Sequence, residues 1–461
     1  MVLSISRRTL LGTGAAAVAL PYIRRARSNV GVLQPLVDMT AETTVPIWPT
    51  TDGVSPLYPN QSRFFYKGEL YHGAESRVFA IMGLPENIPA GETVPGVVLV
   101  HGGGGTAYGK WVKAWTDRGF AAIAMGLEGQ TDVDTDAAPN VYTWATHANS
   151  GPARRGIYGD TRAGSPYYES LADQWMWHAQ AAVIRAHTLL KSNAAVNPNR
   201  IGICGLSWGG IITATNIGLD QRSAFAVPIY GCGHLDDMTN QYGTALANNP
   251  DYDTIWEPGL RLGLATMPTL WLTGMHDQHF SLVQQAQSYR ETGSSVTPRP
   301  KHMVSIQPEL AHGHGPIFGE RSGAAPIPEP MVFAQYYLDH GTPWAEQVNS
   351  GRLSDGRCYA RFRSAFPLLP KNAPVPANKP QIYYTFDVGH THDRTWAAAE
   401  AQVIAEGSDI YRVVGTVPNG EPKAWFAYAV AESPRPNGLP SDFVKVTGDL
   451  VTNGSQVPTT P

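Results

Sequence analysis

Seven short apolar runs alternate with helical patterns between residues 76 and 345 of the 461-residue chain. The apolar residues of each run are nearly continuous, which is typical of strands covered on both faces in a parallel sheet. The segments between the runs have apolar residues at helical spacing, as in residues 170–192. This alternation predicts an α/β fold with a doubly wound, mostly parallel sheet. The predicted strands cover residues 77–82, 96–100, 120–125, 201–204, 225–230, 269–273 and 303–307.

A second domain is predicted after residue 368. Four prolines between residues 370 and 380 mark a linker, placed at residues 369–380. Five short strand candidates follow, and their spacing predicts a small C-terminal β-sandwich of immunoglobulin or fibronectin type over residues 381–450. The α/β domain, with an N-terminal extension, is then expected to cover residues 29–368. The strand candidates are residues 381–386, 397–404, 410–414, 424–430 and 443–446.

The first 28 residues are predicted to form a twin-arginine export signal rather than part of the fold. Arg7 and Arg8 precede a weakly apolar stretch, residues 12–20, which is too short for a membrane span of about 20 residues. A basic N-terminal tail and an uncleaved signal anchor are the alternatives. We expect cleavage near residues 26–28, and a periplasmic or secreted protein with no membrane span after the signal is removed.

Charge and cysteine content limit the partners and the redox chemistry of the chain. The net charge of −4 gives no sign of a nucleic-acid partner. Three cysteines, Cys204, Cys232 and Cys358, are too few for a disulfide framework. Residues 128–166 are rich in Gly, Asp and Tyr without clear periodicity, which predicts either a functional loop or a structural excursion. The sequence does not indicate an oligomeric state.

A serine flanked by glycines follows the predicted strand 201–204, in the run Gly205-Leu206-Ser207-Trp208-Gly209. A nucleophile held above a sheet needs a strained turn between strand and helix, and larger side chains two residues before and after it would collide with neighbouring strands. The pattern alone occurs by chance in ordinary turns. The strand before it and the helix start after it favour a catalytic role for Ser207.

Two later strands are followed by residues that complete a catalytic triad in the sequence. A serine hydroxyl becomes a nucleophile when a base takes its proton and a carboxylate orients that base. Asp277 and His312 each come just after a predicted strand, in the order serine, acid, histidine. His314 is the alternative base, and Glu128 is the rival acid.

A glycine-rich run at residues 101–105 follows an early predicted strand. Glycines let backbone amides approach the oxyanion that forms during acyl transfer. The N–H of Trp208, directly after the nucleophile, is expected to donate one hydrogen bond, and the N–H of Gly103 the other, with Gly104 as the alternative. A phosphate-binding loop would need the Gly-Lys-Ser/Thr ending that this run lacks.

No cofactor and no metal are predicted. The chain has 14 histidines but neither a Cys-x-x-Cys pair nor a His-Glu-x-x-His motif. The pairs His312/His314 and His390/His392 are two residues apart, a spacing that suits loops and strand faces as well as metal ligands.

Several segments carry a resemblance to a known family; they are residues 97–105, 173–176, 205–210, 227–233, 384–387 and Trp396. With these segments, and with the serine, the acid and the histidine in this order, the chain resembles the α/β-hydrolase superfamily, and more narrowly its dienelactone hydrolase and acetyl xylan esterase branch. The C-terminal region is similar to the fibronectin-like domain of a subgroup of exported bacterial hydrolases. Dienelactone hydrolases proper have a cysteine where this chain has Ser207, which implies ester hydrolysis rather than lactone opening.

The sequence therefore predicts an exported serine carboxylic-ester hydrolase that forms an acyl-enzyme on Ser207. The resemblance implies an esterified small molecule or carbohydrate, in particular an acetylated one, as substrate. Two alternatives stay open: a serine peptidase of the prolyl-oligopeptidase type, and a non-catalytic binding protein. Aromatic residues of the long loop either offer stacking faces to a sugar or pack the loop; they are Tyr142, Trp144, Tyr158, Tyr167 and Tyr168.

Overall fold

The computed structural model describes the chain in ten stretches, and all structural statements refer to them. The predicted export signal, most of the predicted linker and the aromatic residues Tyr142, Trp144, Tyr158, Tyr167 and Tyr168 lie outside the described residues. The described residues are 31–51, 55–131, 145–154, 169–246, 249, 251–318, 326–368, 379–418, 420–435 and 439–453.

After a short helix and three strands, strands and helices mostly alternate from residue 94 to residue 340, and the strands of a second sheet follow. The helices are α1 (Gln34–Asp38), α2 (Gly109–Thr116), α3 (Trp175–Ser192), α4 (Trp208–Asn216), α5 (Gln241–Leu246), α6 (Leu282–Glu291), α7 (Gly315–Phe318) and α8 (Glu329–His340). The strands are β1 (Ile47–Pro49), β2 (Gln61–Tyr71), β3 (Ala74–Gly83), β4 (Val94–Val100), β5 (Ala121–Met125), β6 (Gln130–Thr131), β7 (Ala145–Thr146), β8 (Val196–Leu206), β9 (Ala226–Ile229), β10 (Leu270–Gly274), β11 (Met303–Gln307), β12 (Ala345–Arg352), β13 (Cys358–Ser364), β14 (Gln381–Thr385), β15 (Ala397–Ala405), β16 (Ile410–Gly415), β17 (Ala424–Ser433), β18 (Asp442–Thr447) and β19 (Val451–Thr452). Single turns of 3-10 or π type occupy Gly31–Leu33, Met39–Ala41, Leu171–Asp173, Tyr252–Trp256, Pro258–Leu260, Leu262–Leu264 and Thr391–Asp393.

The first sheet of the described residues has nine strands in the order β1-β2-β3-β5-β4-β8-β9-β10-β11. All neighbours from β5 to β11 are parallel, and β1, β2 and β3 add antiparallel pairs at one edge. The predicted α/β fold with a mostly parallel sheet is therefore confirmed. The sequence does not predict β2, because its buried positions are interrupted by exposed ones and by polar residues such as Lys67.

Helices pack on the parallel strands. Helix α3 contacts β4, β5 and β8, α4 contacts β8 and β9, and α2 contacts β3 and β5. Every residue of β5, β10 and β11 is buried, as expected for strands covered on both faces. None of the helices in the described ranges is both long and apolar enough to cross a lipid bilayer. The three cysteines are free and buried.

The second sheet contains β12 to β19, and its strands pair antiparallel. Strand β15 pairs with β14 along residues 397–400 and with β16 along residues 401–405, so the sheet folds over at this strand. Strands β13 and β16 then contact β17 across the fold. The five strands expected from the sequence in this region are present as β14 to β18.

The C-terminal sheet begins before the predicted linker. Strands β12 and β13 lie within residues 29–368, which the sequence assigns to the α/β domain, but β13 pairs with β16 of the C-terminal sheet. Neither strand has a continuous apolar run, since buried positions of β13 alternate with less buried ones. The proline-rich stretch therefore connects two strands of one sheet rather than two domains.

Polar contacts join the C-terminal sheet to the α/β domain. The guanidinium of Arg118 donates to both carboxylate oxygens of Asp442, at 2.6 and 2.9 Å. The hydroxyl of Thr447 in β18 accepts from the N–H of Ile306 in β11 at 2.8 Å and donates to the carbonyl of Val304 at 3.3 Å. Strands β11 and β18 are therefore in direct contact, at the edge of the first sheet.

An ion pair between a buried histidine and a partly exposed glutamate, near the carboxyl end of β9, makes the stability of the fold depend on pH. His234 is 2% exposed, and its Nε2 lies 2.7 Å from the carboxylate of Glu291. Burial lowers the pKa of His234, but the bond and charge of Glu291, with the charges of Glu257 and Asp237, outweigh burial and raise the pKa from 6.5 to about 9. A pKa raised by folding adds stability that is complete below pH 6.5 and is lost as the pH rises through 9.

We therefore expect Glu291→Gln to lower the free energy of unfolding by about 2 kcal/mol at pH 6, the usual contribution of a hydrogen bond to a charged group. The difference between wild type and variant should shrink towards pH 10, where His234 is neutral in both. Urea unfolding of the two proteins at both pH values measures this. A difference that stays constant with pH would contradict the assignment of a charged His234.

Candidate active site

Ser207 lies in the sharp turn between β8 and α4. Its backbone has φ 56° and ψ −120°, a conformation that residues with side chains rarely adopt. The N–H of Ser207 donates to the carbonyl of Ile229 in β9 at 3.0 Å, and its carbonyl accepts from the N–H of Ile211 in α4 at 3.0 Å. The neighbouring strand and the first turn of the helix thus hold the strained turn in place.

The two glycines of the turn are required by close backbone contacts. A Cβ atom at Gly205 would lie 2.2 Å from the carbonyl oxygen of Gly209, and one at Gly209 would lie 2.0 Å from the carbonyl oxygen of Val100. Real Cβ contacts are never this short. The steric reason given for the Gly-x-Ser-x-Gly pattern therefore applies to this chain.

We expect Gly209→Ala to destabilise the fold by about 3 kcal/mol, the upper part of the usual range for overpacking, because β4 and α4 must separate to admit the methyl group. Gly407→Ala is the matched control, since a Cβ at Gly407 meets nothing within 4 Å. Urea midpoints of both variants check the expectation. A Gly209→Ala protein as stable as Gly407→Ala would show that β4 and α4 leave room for a methyl group at residue 209.

The structure places His312 between Ser207 and Asp277. Nε2 of His312 lies 3.0 Å from Oγ of Ser207, and Nδ1 lies 2.7 Å from Oδ2 of Asp277. The neutral imidazole that fits these contacts carries its proton on Nδ1, donates it to the carboxylate, and accepts the serine hydroxyl proton on Nε2. Three residues separated by 70 and 35 positions in the sequence are thus joined in one hydrogen-bonded chain.

The carboxylate of Asp277 is fixed by its own loop. Asp277 is 1% exposed, and its Oδ1 accepts the backbone N–H groups of His279 and Phe280, each at 2.8 Å. These bonds leave Oδ2 directed at His312. The ring of Phe280 stacks near that of His312, with centroids 5.9 Å apart. The acid therefore has one orientation and one imidazole partner.

The two alternatives from the sequence have other partners. His314 Nε2 accepts the N–H of Gly102 at 3.3 Å, and burial lowers the pKa of His314 to about 3, with the charges of His101 and His312 adding to the effect. His314 therefore stays neutral and contacts the glycine-rich loop. The carboxylate of Glu128 accepts from Gly104 and so lies in that loop rather than on His312 Nδ1.

The glycine-rich loop is held by polar bonds at three points. His101 Nδ1 donates to the carbonyl of Gly102 at 2.6 Å, and His101 Nε2 accepts the N–H of Leu127 at 2.9 Å. Burial, the largest influence, lowers the pKa of His101, in keeping with this neutral tautomer. Glu128 bonds the N–H of Gly104 at 3.0 Å and pairs with Arg154 at 3.0 Å. The loop is thereby rigid.

The predicted oxyanion donors lie next to each other. A Cβ at Gly103 would be 2.7 Å from the Trp208 ring, so loop and nucleophile turn are in contact. Trp208 is the first residue of α4, where backbone N–H groups point out of the helix end. The N–H of Gly104 is bonded to Glu128, which favours Gly103 over Gly104 as the second donor.

Aromatic rings surround the serine and the histidine. The Trp208 ring contacts that of Tyr242, with centroids 5.6 Å apart, and Tyr242 stacks near Phe280 at 5.2 Å. Tyr230 lies 4.5 Å from the His312 ring, and its hydroxyl donates to the carbonyl of Gly313. The wall next to Ser207 is therefore mainly apolar, which strengthens hydrogen bonds made there.

Sequence reasoning does not find several residues of this neighbourhood. Arg154 lies over the Trp208 ring at 5.5 Å, but it comes from the long segment without periodicity that carries no signal of position. Tyr230 has an unusual positive φ of 29°, which a sequence does not show. Its place directly after β9 is the one available signal.

One group of side chains in the described residues could hold a metal ion. Ligand atoms of His72, Glu169 and Asp173 lie within 4.8 Å of one another. None of the residues predicted to act at Ser207 belongs to this group.

Residues 155–316 match the prolyl oligopeptidase family. Among solved structures, acetyl xylan esterase 1 from Thermoanaerobacterium sp. JW/SL YS485 is similar at 14% identity and a TM-score of 0.43, over 62% of this chain and 89% of that one. The acetyl xylan esterase from Paenibacillus sp. R4 is similar at 18% identity and a TM-score of 0.39, over 66% and 91%. The acylaminoacyl peptidase of Pyrococcus horikoshii is similar at 16% identity and a TM-score of 0.42, over 61% and 42%. No curated protein matches the chain.

The family match covers the stretch in which Ser207, Asp277 and His312 all lie. With its parallel sheet and its strand–serine–helix turn, the chain is an α/β protein that resembles the α/β-hydrolase superfamily, as the sequence predicts, and residues 155–316 match the prolyl oligopeptidase family within it.

Proposed function

We propose that the protein is a serine hydrolase that cleaves carboxylic esters through an acyl-enzyme on Ser207. The observation that carries the proposal is the chain of contacts from Asp277 through His312 to Ser207, at 2.7 and 3.0 Å. A non-catalytic binding protein would have no use for a strained serine with an oriented imidazole at its hydroxyl.

The proposed reaction has two halves. His312 Nε2 takes the proton of Ser207 Oγ as that oxygen attacks the ester carbonyl carbon, and the N–H groups of Trp208 and Gly103 donate to the oxyanion. The carbon–oxygen bond to the alcohol then breaks, and His312 returns the proton to the leaving alcohol. Water attacks the acyl-enzyme, His312 takes its proton, and the carboxylic acid and the free Ser207 hydroxyl are released.

We propose an acetylated or otherwise esterified carbohydrate as the substrate and export as the route to it. The sequence resemblance to the acetyl xylan esterase branch supports the first, and the twin-arginine pattern at residues 7 and 8 supports the second. Acetate release from a set of acetylated polysaccharides tests the substrate class. Fractionation of expressing cells, with and without Arg7→Lys/Arg8→Lys, tests the export.

A serine peptidase is the second candidate, favoured by the match of residues 155–316 to the prolyl oligopeptidase family. The same three residues would serve amide cleavage, so the geometry at Ser207 does not separate the two reactions. Assays with p-nitrophenyl acyl esters and with peptide p-nitroanilides separate them. Turnover of esters with no turnover of anilides is expected, and turnover of anilides alone would establish the peptidase instead.

A further inference from the structure

One turn of the C-terminal sheet contacts the loop that carries Asp277. The turn, Thr391–Asp393, lies in the connection between β14 and β15, and the loop runs from β10 to the start of α6. The turn connects two strands of the C-terminal sheet, whereas the loop follows a strand of the nine-stranded sheet. The contact therefore links the C-terminal domain to the acid of the triad.

Two hydrogen-bonded contacts hold the two ends of this loop. Thr391 is 1% exposed, and its hydroxyl accepts the N–H of Leu282 at 2.8 Å and donates to the hydroxyl of Ser281 at 3.3 Å. On the other side of the acid, His392 Nδ1 donates to the carbonyl of His276 at 2.8 Å. Residues 276 and 281 enclose Asp277, so adjacent side chains of one turn hold both ends of a six-residue segment.

The turn itself is rigid enough to act as an anchor. The indole N–H of Trp396 donates to the carbonyl of Thr391 at 3.0 Å. The buried Arg394 donates twice to the carbonyl of Gly389, at 3.0 and 2.7 Å. Asp387 accepts the N–H of Thr395 at 2.7 Å. These bonds fix the turn to its own sheet independently of the α/β domain.

We infer that Thr391 and His392 are positioning residues, through which the C-terminal domain sets the orientation of Asp277 towards His312; this rests on the proposed function. Asp277 Oδ1 is held by N–H groups of its own loop, so movement of the loop moves the carboxylate. A displacement of about 1 Å at a reacting group can cost about 100-fold in rate. The C-terminal sheet is therefore part of the catalytic unit.

The rate at which a fluorophosphonate labels Ser207 tests this inference without knowledge of the substrate. The serine oxygen bonds to phosphorus, fluoride leaves, and His312 takes the proton, so the rate reports the same activated hydroxyl. We expect Thr391→Val to lower the second-order labelling rate about tenfold. The acid limb of its pH profile should also move to lower pH, because the imidazolium loses part of its contact with the carboxylate.

Two further variants separate positioning from general damage to the fold. Thr391→Ser keeps the hydroxyl and should label within about twofold of wild type. Ser364→Ala is the control in the same sheet: Ser364 is 2% exposed in β13, and its hydroxyl donates to the carbonyl of Phe366 at 2.6 Å and accepts the N–H of Phe366 at 3.3 Å. Ser364→Ala should leave the labelling rate and the pH profile unchanged.

His392→Ala provides a second test on an exposed residue, whose replacement leaves the core intact. We expect it to lower the labelling rate about threefold with the same direction of shift in the pH profile. A folded Thr391→Val protein that labels like wild type overturns the inference, and so does an unchanged His392→Ala protein if Thr391→Val does not fold. Wild-type protein that is not labelled at Ser207 overturns the proposed function itself.

Discussion

Replacing Ser207 by alanine is expected to lower kcat for ester hydrolysis by about a million-fold, the loss typical of removing the nucleophile from a serine hydrolase. The change deletes the oxygen that forms the acyl-enzyme, and the hydrogen bond to His312 Nε2 with it. A methyl group still fits the strained turn, so binding and fold should persist. Initial rates with p-nitrophenyl acetate measure the loss.

Ser223→Ala serves as the control for this variant. Ser223 is 6% exposed and lies between α4 and β9, away from the contacts of His312. Its replacement should leave kcat within about twofold of wild type, as is usual for a substitution away from the reacting groups. If Ser207→Ala retained more than a tenth of the wild-type rate, a different group would have to be the nucleophile.

Replacing Asp277 by asparagine is expected to lower kcat by about ten-thousand-fold. The N–H groups of His279 and Phe280 hold an oxygen on one side of residue 277, so the amide NH2 of the asparagine would face His312. Nδ1 of His312 would then accept a proton instead of donating one, and Nε2 would carry the proton that blocks uptake from Ser207. Initial rates with the same ester measure this.

Glu128→Gln is the comparison for Asp277→Asn, because Glu128 is the other carboxylate that the sequence offers as the acid. Its contacts are with Gly104 and Arg154, so its replacement should disturb only the glycine-rich loop. We expect kcat to fall less than about tenfold, because the substitution displaces a single contact of the glycine-rich loop and leaves the triad in place. A larger loss in Glu128→Gln than in Asp277→Asn would reverse the roles given to the two residues.

The central strands of the fold can be predicted from the sequence, because each of them is a continuous apolar run, which is a strong and local signal. Strands β5, β9, β10 and β11, residues 96–100 of β4 and residues 201–206 of β8 are buried throughout, so most of their residues are apolar and the runs stand out. Strands β12 and β13 have polar, partly exposed positions and give no such signal. A search for apolar runs therefore places the C-terminal boundary at the prolines rather than at Ala345.

The meeting of Ser207, Asp277 and His312 follows from topology, since parallel strands β8, β10 and β11 end at the same edge of the sheet. The choice between His312 and His314 does not follow, because one residue of loop, Gly313, separates them and the local backbone decides which ring faces the serine. The contact of Thr391 with Leu282, at the end of the acid loop, joins positions 109 residues apart, one in the α/β domain and one in a turn of the C-terminal sheet. Neither segment carries a pattern that points to the other.

The Thr447 hydroxyl protects the edge strand β11 of the nine-stranded sheet. An unpaired outer strand offers its N–H and C=O groups to any other chain, which is a common start of aggregation. The Thr447 hydroxyl bonds both the N–H of Ile306 and the carbonyl of Val304. It therefore occupies backbone groups of β11 with which a tenth strand would otherwise pair. A polypeptide that stopped before β18 would expose β11 to pairing with other chains, so we expect the C-terminal sheet to contribute to solubility as well as to the proposed reaction.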